Sequence, residues 1–232
     1  KDYTNIIYKK YSNLLHRKNV SKTSDYRVKM IKEKYDFCIS KNFKNTKNIK
    51  VLDYGCGEGS FLEYLKSKKI NHIGFEVDKV SIEKLKNKKI SFCENLEAIG
   101  SNSLDVCVMF DVIEHLTNPI STLSIIRKKL KKNGKIIIYT PNINSLAFEL
   151  MGKNQNQVYP FQHIYFFDHK SFKFLGKKTR LKIISLSTYG LDLMDYFFMK
   201  EYYDNTKYFD KLRKFINKTQ SIIDLSGYGN HF

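Results

Sequence analysis

Val51-Leu52-Asp53-Tyr54-Gly55-Cys56-Gly57-Glu58-Gly59-Ser60-Phe61 is the stretch that decides the fold. A short apolar run ends in Asp53, and glycines follow at alternate positions. Glycine reaches positive φ and leaves no Cβ between backbone and ligand, so the run reads as strand, tight turn, helix. Phe61, Leu62 and Leu65 share one side of the helix predicted over 60–66. This order holds a nucleotide-like cofactor at the carboxyl end of the first strand of a doubly wound α/β sheet. The spacing G-x-G-x-G is neither the dinucleotide fingerprint G-x-G-x-x-G nor a P-loop. Asp53 and Glu58 flank the turn and no lysine stands in it, which disfavours a pyrophosphate and favours a cofactor with a cationic centre.

The flanking segments continue the pattern. His72-Ile73-Gly74-Phe75-Glu76-Val77-Asp78 reads as a short strand ending in acid, and Glu76 lies 19 positions after Gly57. An acid about 20 positions on accepts hydrogen bonds from ribose hydroxyls in this fold; a solvated carboxylate at a strand end is the plainer alternative. Asp78 suits the N-cap of a helix over 79–86. Ser103 to Phe110 is a strand buried on both faces. Asn118 and Pro119 open a further helix, carried by Ile120, Leu123, Ile126 and Leu130 and ended by Gly134. A strand over 134–142, a helix over 171–177 and a strand over 181–188 follow.

With these segments in register, the chain resembles the class I S-adenosylmethionine (SAM)-dependent methyltransferases. The stretch 51–61 is similar to their first motif, and Phe110-Asp111-Val112-Ile113-Glu114-His115 to the segment beside the methionine part of the cofactor. The order of elements over 50–190 is similar to a small-molecule branch with ubiquinone-biosynthesis O-methyltransferases and enzymes of bacterial surface-glycan pathways. The resemblance implies a Rossmann-like doubly wound sheet of six or seven strands, with an N-terminal helical cap and an aromatic lid. It implies that Glu76 binds both ribose hydroxyls, with Val77 beside it. Asp53 would meet the cofactor ammonium, and the backbone of Gly55, Cys56 and Gly57 would meet the methionine part. Asn95 and Leu96 would flank the adenine, Phe110, Asp111 and Val112 would line the methionine side, and Arg27 would hold the carboxylate. Tyr11 is a candidate cover for the pocket.

Organisation follows from composition. Residues 1–49 read as helical cap and linker, and 50–232 as the SAM-binding domain, with an aromatic lid over 144–178 and a helical tail over 190–226. In the lid stand Phe148, Tyr159, Phe161, Tyr165, Phe166 and Phe167, and a hydrophobic seal is the favoured reading. The resemblance implies a last antiparallel strand after a segment like 224–232, where this sequence stops; either that strand is missing or a shorter edge closes the sheet. No apolar run approaches the ~20 residues of a membrane span, and no signal peptide is recognisable. Cys38, Cys56, Cys93 and Cys107 show no C-x-x-C pairing, so free thiols in a reducing cytoplasm are expected. The net charge is +18, yet only five of the 41 basic residues are arginine. Arginine is the residue suited to bidentate phosphate and base contacts, and the lysines are spread along helix faces. Nucleic acid is therefore disfavoured as a partner, while an anionic small molecule gains by steering. The assembly is left open between monomer and homodimer.

Methyl transfer to a hydroxyl needs in-line positioning and a base. Of six histidines, His163 in the lid is the preferred base and His115 the second; His72, in a strand, reads as structural. No metal trio emerges from the spacing. Three functions compete: a small-molecule O- or N-methyltransferase acting on a sugar or phosphorylated metabolite, an RNA or DNA methyltransferase suggested by charge, and a SAM-binding protein without catalysis. Phe-Asp-Val-Ile stands where adenine-amino enzymes carry an N/D-P-P-Y/F tetrapeptide, and no Pro-Cys pair exists, which counts against the second.

Overall fold

The sheet is built around β1 (Lys50–Tyr54), whose Val51 and Leu52 are fully buried. The computed structural model describes residues 31–155, 157–158, 162–204 and 208–232. Arg27, Tyr11, Tyr159 and Phe161 lie outside the described residues. In order, α1 (Ser60–Ser67), β2 (Asn71–Phe75), α2 (Lys79–Asn87), β3 (Phe92–Cys93) and β4 (Leu104–Phe110) follow. After them come α3 (Pro119–Lys129), β5 (Leu130–Tyr139), α4 (Leu146–Met151), α5 (His169–Thr179), α6 (Asp192–Asp204) and α7 (Tyr208–Leu225). The strand order is β3-β2-β1-β4-β5. The ladders β1–β2, β1–β4 and β2–β3 are parallel, with Asp53 opposite Gly74 and Val108. A right-handed crossover is the rule for such parallel pairs and sends each helix back across the sheet.

The local signals behave as their chemistry dictates. Asp78 caps α2 by accepting from Ser81 N at 2.8 Å. Asn118 caps α3 from Ser121 N at 2.9 Å, with Pro119 as the first helical residue. Helix α3 ends at Lys129, not at Gly134, because the carbonyls of Lys128 and Lys129 accept from Asn102 N and Ser103 N (3.1 and 2.8 Å). These loop donors satisfy carbonyls that a further turn of helix would otherwise have to pair. Gly134 and Leu130 consequently fall inside β5.

Among the described residues five strands form the sheet, not six or seven. Residues 181–188 make no ladder among the described residues, and Ile184 in that run is 75% exposed. What remains of two further strands is a pair of single antiparallel bridges on His231, one to Pro141 and one to Tyr189. Tyr189 N and His231 N exchange bonds with each other's carbonyls at 2.9 and 3.0 Å. A one-residue bridge buries no alternating side-chain row, so pairing does not propagate.

Contacts divide the chain into two units. The first comprises the described residues from 31 to 110 together with Ile125–Ile137. Its core joins Ile39, Val51, Leu62, Leu65, Leu85, Val106 and Val108, with Ile31 and Tyr35 of the helical segment 31–35 packed against it. The second comprises Asp111–Ser124 and Ile138–Phe232. Within it the aromatics meet each other: Phe148 with Phe166 (5.7 Å between ring centres) and Phe167 with Phe172 (5.4 Å). Asp192, fully buried, accepts from Ala147 N, Gln220 Nε2 and Asn230 N at 2.8–3.0 Å, which ties α6, α7 and the C-terminal residues into one polar network. A buried carboxylate is tolerated when donors surround it in this way. Among the described residues no helix is long and apolar enough to cross a membrane.

Candidate active site

In the first unit the glycine turn leaves β1 with Gly55, Gly57 and Gly59 all at positive φ (77°, 53° and 80°). At Gly57 a Cβ would meet nothing within 4 Å, so the space above the turn is open and only the backbone angle demands glycine. Gly59 is different, since a Cβ there would lie 2.6 Å from Leu85 Cδ2 and 2.7 Å from Ile90 Cδ1. Gly55 N and Cys56 N donate to Phe75 O at 2.8 and 3.2 Å, pinning the turn to the end of β2.

Glu76 organises this corner. Its Oε2 accepts from Gly57 N at 2.7 Å; its Oε1 accepts from Val77 N at 2.7 Å and Asp78 N at 2.9 Å. Gly57 and Glu76, 19 residues apart, are thus joined directly by the carboxylate, which is itself buried; the spacing had pointed only to a ribose-binding acid. Val77 is exposed. Asp53 is buried, and burial pushes its carboxyl up to about 7; Lys34 opposes the shift and Glu76 adds to it. Burial, with Asp53 and Glu76 in support, also raises the Cys56 thiol and keeps it neutral. Glu58, expected beside Asp53 at the turn, points outward and pairs with Lys84, so its charge is spent at the surface. Asn95 and Leu96 line a cavity of about 450 Å³ together with Phe75, Ile125, Lys128 and Lys129. Phe110 is half-buried, its ring met edge-on by Phe61 at 5.0 Å.

Asp111 opens the second unit with φ 56°, its N–H held by Tyr139 O at 2.8 Å. A left-handed non-glycine residue is uncommon and clusters at functional positions. Val112 follows, half-buried, before the short 3₁₀ turn Ile113–His115. Glu114 in that turn is buried, and its Oε2 accepts from Thr140 Oγ1 at 2.8 Å. Its carbonyl accepts from Ile164 N (2.8 Å) and Tyr165 N (3.1 Å), which anchors the segment carrying His163. The two candidate bases meet here, with ring centres 4.7 Å apart. His115 Nδ1 faces Gln162 O at 2.7 Å. A carbonyl only accepts, so that nitrogen carries the proton and Nε2 keeps its lone pair. Burial lowers the His115 pKa against the pull of Gln162 and Asp111. Burial, then the neighbouring His115, lowers His163 to about 4. Both imidazoles are neutral at pH 7.

The structure brings together residues that the sequence spacing left apart. Ligand atoms of Glu114, His115 and His163 lie within 4.8 Å of one another, a set able to hold a metal ion. His231, assigned no role from the sequence, stacks on Tyr139 (4.4 Å, 5°) and places Nε2 3.5 Å from Asp111 Oδ1. Long sequence separation hid both groupings; the local signal was only the Glu114-His115 dipeptide. His72 Nδ1 lies 2.7 Å from Ile70 O, in keeping with its structural reading.

Comparison with known proteins agrees with this geometry. A family model described as a methyltransferase domain matches residues 26–186. An uncharacterised protein of Methanocaldococcus jannaschii is 34% identical over 111 residues, covering 47% of this chain and 48% of the relative. A protein of Pelagibacter ubique named ubiquinone biosynthesis O-methyltransferase is 32% identical over 140 residues, covering 54% of this chain and 58% of its own length. The chain therefore matches about half the length of these curated relatives. The crystal structure of a SAM-dependent methyltransferase from Archaeoglobus fulgidus shares the fold, with a TM-score of 0.56 and 23% identity over 70% of this chain and 72% of that one. Glycine turn, acid-bound corner and family match converge: the chain belongs to the methyltransferase-domain family, and it shares its fold with a SAM-dependent methyltransferase.

Proposed function

We propose that this protein transfers a methyl group from SAM to a hydroxyl of a small molecule, with an amine as the alternative acceptor. The observation that carries the reading is Glu76 closing on Gly57 N at 2.7 Å across the glycine turn. The residues present fit the cofactor. The space above Gly57 is open, and a buried carboxyl at Asp53 that is neutral near pH 7 gains most from a cation. Glu76 would hold the ribose, Asp53 the ammonium, and Asn95 and Leu96 the adenine. The backbone of Gly55, Cys56 and Gly57, with Phe110, would hold the methionine part. SAM would supply a methyl on a sulfonium, a leaving group already activated. A base is then needed for the acceptor proton, and His163 is in the neutral form at every pH above about 4. The Asp111 carboxylate favours the imidazolium that proton uptake creates. His115 Nε2 is the second candidate.

A sugar or phosphorylated metabolite of a bacterial surface-glycan pathway is the acceptor class we favour, because net charge +18 attracts anions. The ubiquinone-biosynthesis name of the relatives supports an oxygen acceptor. The test supplies labelled SAM with sugar nucleotides, phosphorylated metabolites and RNA. Label is expected in a small-molecule pool, and His163→Asn is expected to lower turnover about 10²- to 10⁴-fold. Label in RNA alone, tight SAM binding with no transfer to any pool, or an unchanged rate in His163→Asn would each overturn the corresponding part.

A further inference from the structure

Lys34 lies in the helical segment 31–35, and its Nζ is 4.4 Å from the centre of the Phe110 ring. The ring is fixed in turn by Phe61, edge-on at 86°. The same ammonium acts on two buried groups, pulling the Asp53 carboxyl and the Cys38 thiol down against the effect of burial. Just beyond it the backbone leaves α geometry for a π turn, Asp36–Ser40, a rare form that is frequent at functional sites. Asp53 and Glu76 put two acids in the buried part of this unit, and Glu76 raises the cost of ionising Asp53. A cation over the Phe110 face offsets that cost. An aromatic face beside a carboxylate is also the setting that a sulfonium prefers.

We propose that Lys34 is a stand-in cation: its ammonium occupies the position over Phe110 in the free protein, and the cationic centre of the cofactor displaces it. The inference rests on the SAM reading and deepens it. SAM carries a sulfonium, whereas its demethylated product, S-adenosylhomocysteine (SAH), carries an uncharged thioether. Displacing Lys34 opposes SAM binding but not SAH binding, because an ammonium and a neutral sulfur tolerate each other. Lys34 therefore sets the ratio of affinities for the charged and uncharged forms. After transfer the positive charge has left the sulfur, and the ammonium is free to return to the ring.

Calorimetric titration of the whole chain with SAM and with SAH, at pH 8 and low salt, tests this. Lys34→Met is expected to raise the SAM:SAH affinity ratio about three- to tenfold, the range of a partly desolvated cation–π contact. Lys34→Gln, a polar replacement, is expected to move the ratio the same way. Lys34→Arg keeps the charge and is expected to stay within about twofold of the wild type. A ratio unchanged in both neutral variants, or lowered by them, overturns the inference; the lowered ratio would mean that Lys34 helps to hold SAM. If wild-type protein binds neither ligand, the SAM reading itself fails, which is a distinct result.

Discussion

Glu76→Gln is the sharpest perturbation of the corner that defines this protein. The carboxylate accepts three backbone N–H groups, one on Oε2 and two on Oε1. Glutamine has one carbonyl oxygen. Turned toward Val77 and Asp78, it keeps two bonds and sets its NH₂ against the Gly57 N–H, donor to donor. Turned the other way, it loses two. The cheaper orientation removes one charge-assisted bond, worth roughly 1.5–3 kcal/mol, and weakens two others toward the neutral range of about 1 kcal/mol. A net cost of about 3 kcal/mol follows. For a chain of this size that corresponds to a fall in melting temperature of roughly 6–12 °C. The side chain is buried, so water does not make up the loss. Differential scanning calorimetry reads the melting temperature, and titration with SAM at a temperature where both proteins are folded reads the binding. The expected result is an early melt together with weakened SAM. A variant that melts within about a degree of wild type and binds SAM as well would refute the reasoning, since the carboxylate would then organise neither turn nor ligand.

Gly74→Ala tests how closely β2 approaches the turn: its Cβ would lie 2.5 Å from Cys56 Sγ and 2.7 Å from Leu62 Cδ1. We expect a loss of about 1–3 kcal/mol in urea unfolding, partly recovered by adding Cys56→Ala, and no recovery would assign the clash elsewhere. Asp53, held up to about 7, must ionise to meet a cation. The affinity for SAM should therefore rise with pH up to about 7 and level off above it, with protons released on binding below pH 7; calorimetry in buffers of different ionisation heat counts them, and no release at pH 6 contradicts the assignment. Glu114, His115 and His163 form a set that a divalent ion such as zinc can occupy, and both imidazoles are kept neutral. If His163 is the working base, micromolar zinc should inhibit turnover and a chelator should restore it; activity abolished by the chelator alone would point to a metal role instead.

Much of this was legible because the signals were local. The glycine turn, the caps at Asp78 and Asn118 and the buried β4 each depend on residues within a few positions. The register of Glu76 with the glycine turn was legible at a distance only because the strand–helix–strand unit between them has a nearly fixed length; its bond to Gly57 N was not. What was hidden depends on contacts between distant positions. The end of α3 is set by Asn102 and Ser103, which supply donors from another loop. The apolar run 181–188 has strand composition, yet it finds no partner edge among the described residues. Asp192 resembles any surface acid until Ala147, Gln220 and Asn230 are brought around it. Glu58 and Asp53 look equivalent in the sequence, and only the outward turn of Glu58 toward Lys84 distinguishes them.

One physical effect, loss of solvent, runs through both halves of the proposed chemistry with opposite sign. Burial raises an acid and lowers a base, because in each case it disfavours the charged form. In the first unit it leaves Asp53 able to be neutral near pH 7, so the carboxyl ionises most readily when a cation arrives. In the second it leaves His115 and His163 neutral, so an imidazole becomes charged only by taking a proton. Charge at either place is then tied to an event, ligand binding in one and proton uptake in the other. Exposed groups at these positions would carry their ordinary charge at rest and lose that coupling. A mutation that lets water reach His163, such as Phe166→Ala beside it (ring centres 6.1 Å apart), should raise its pKa toward the ordinary histidine range. The acid limb of the turnover profile would then move up from near pH 4 toward pH 6. A limb that stays in place while Phe166 is removed would mean that desolvation is not what holds His163 neutral.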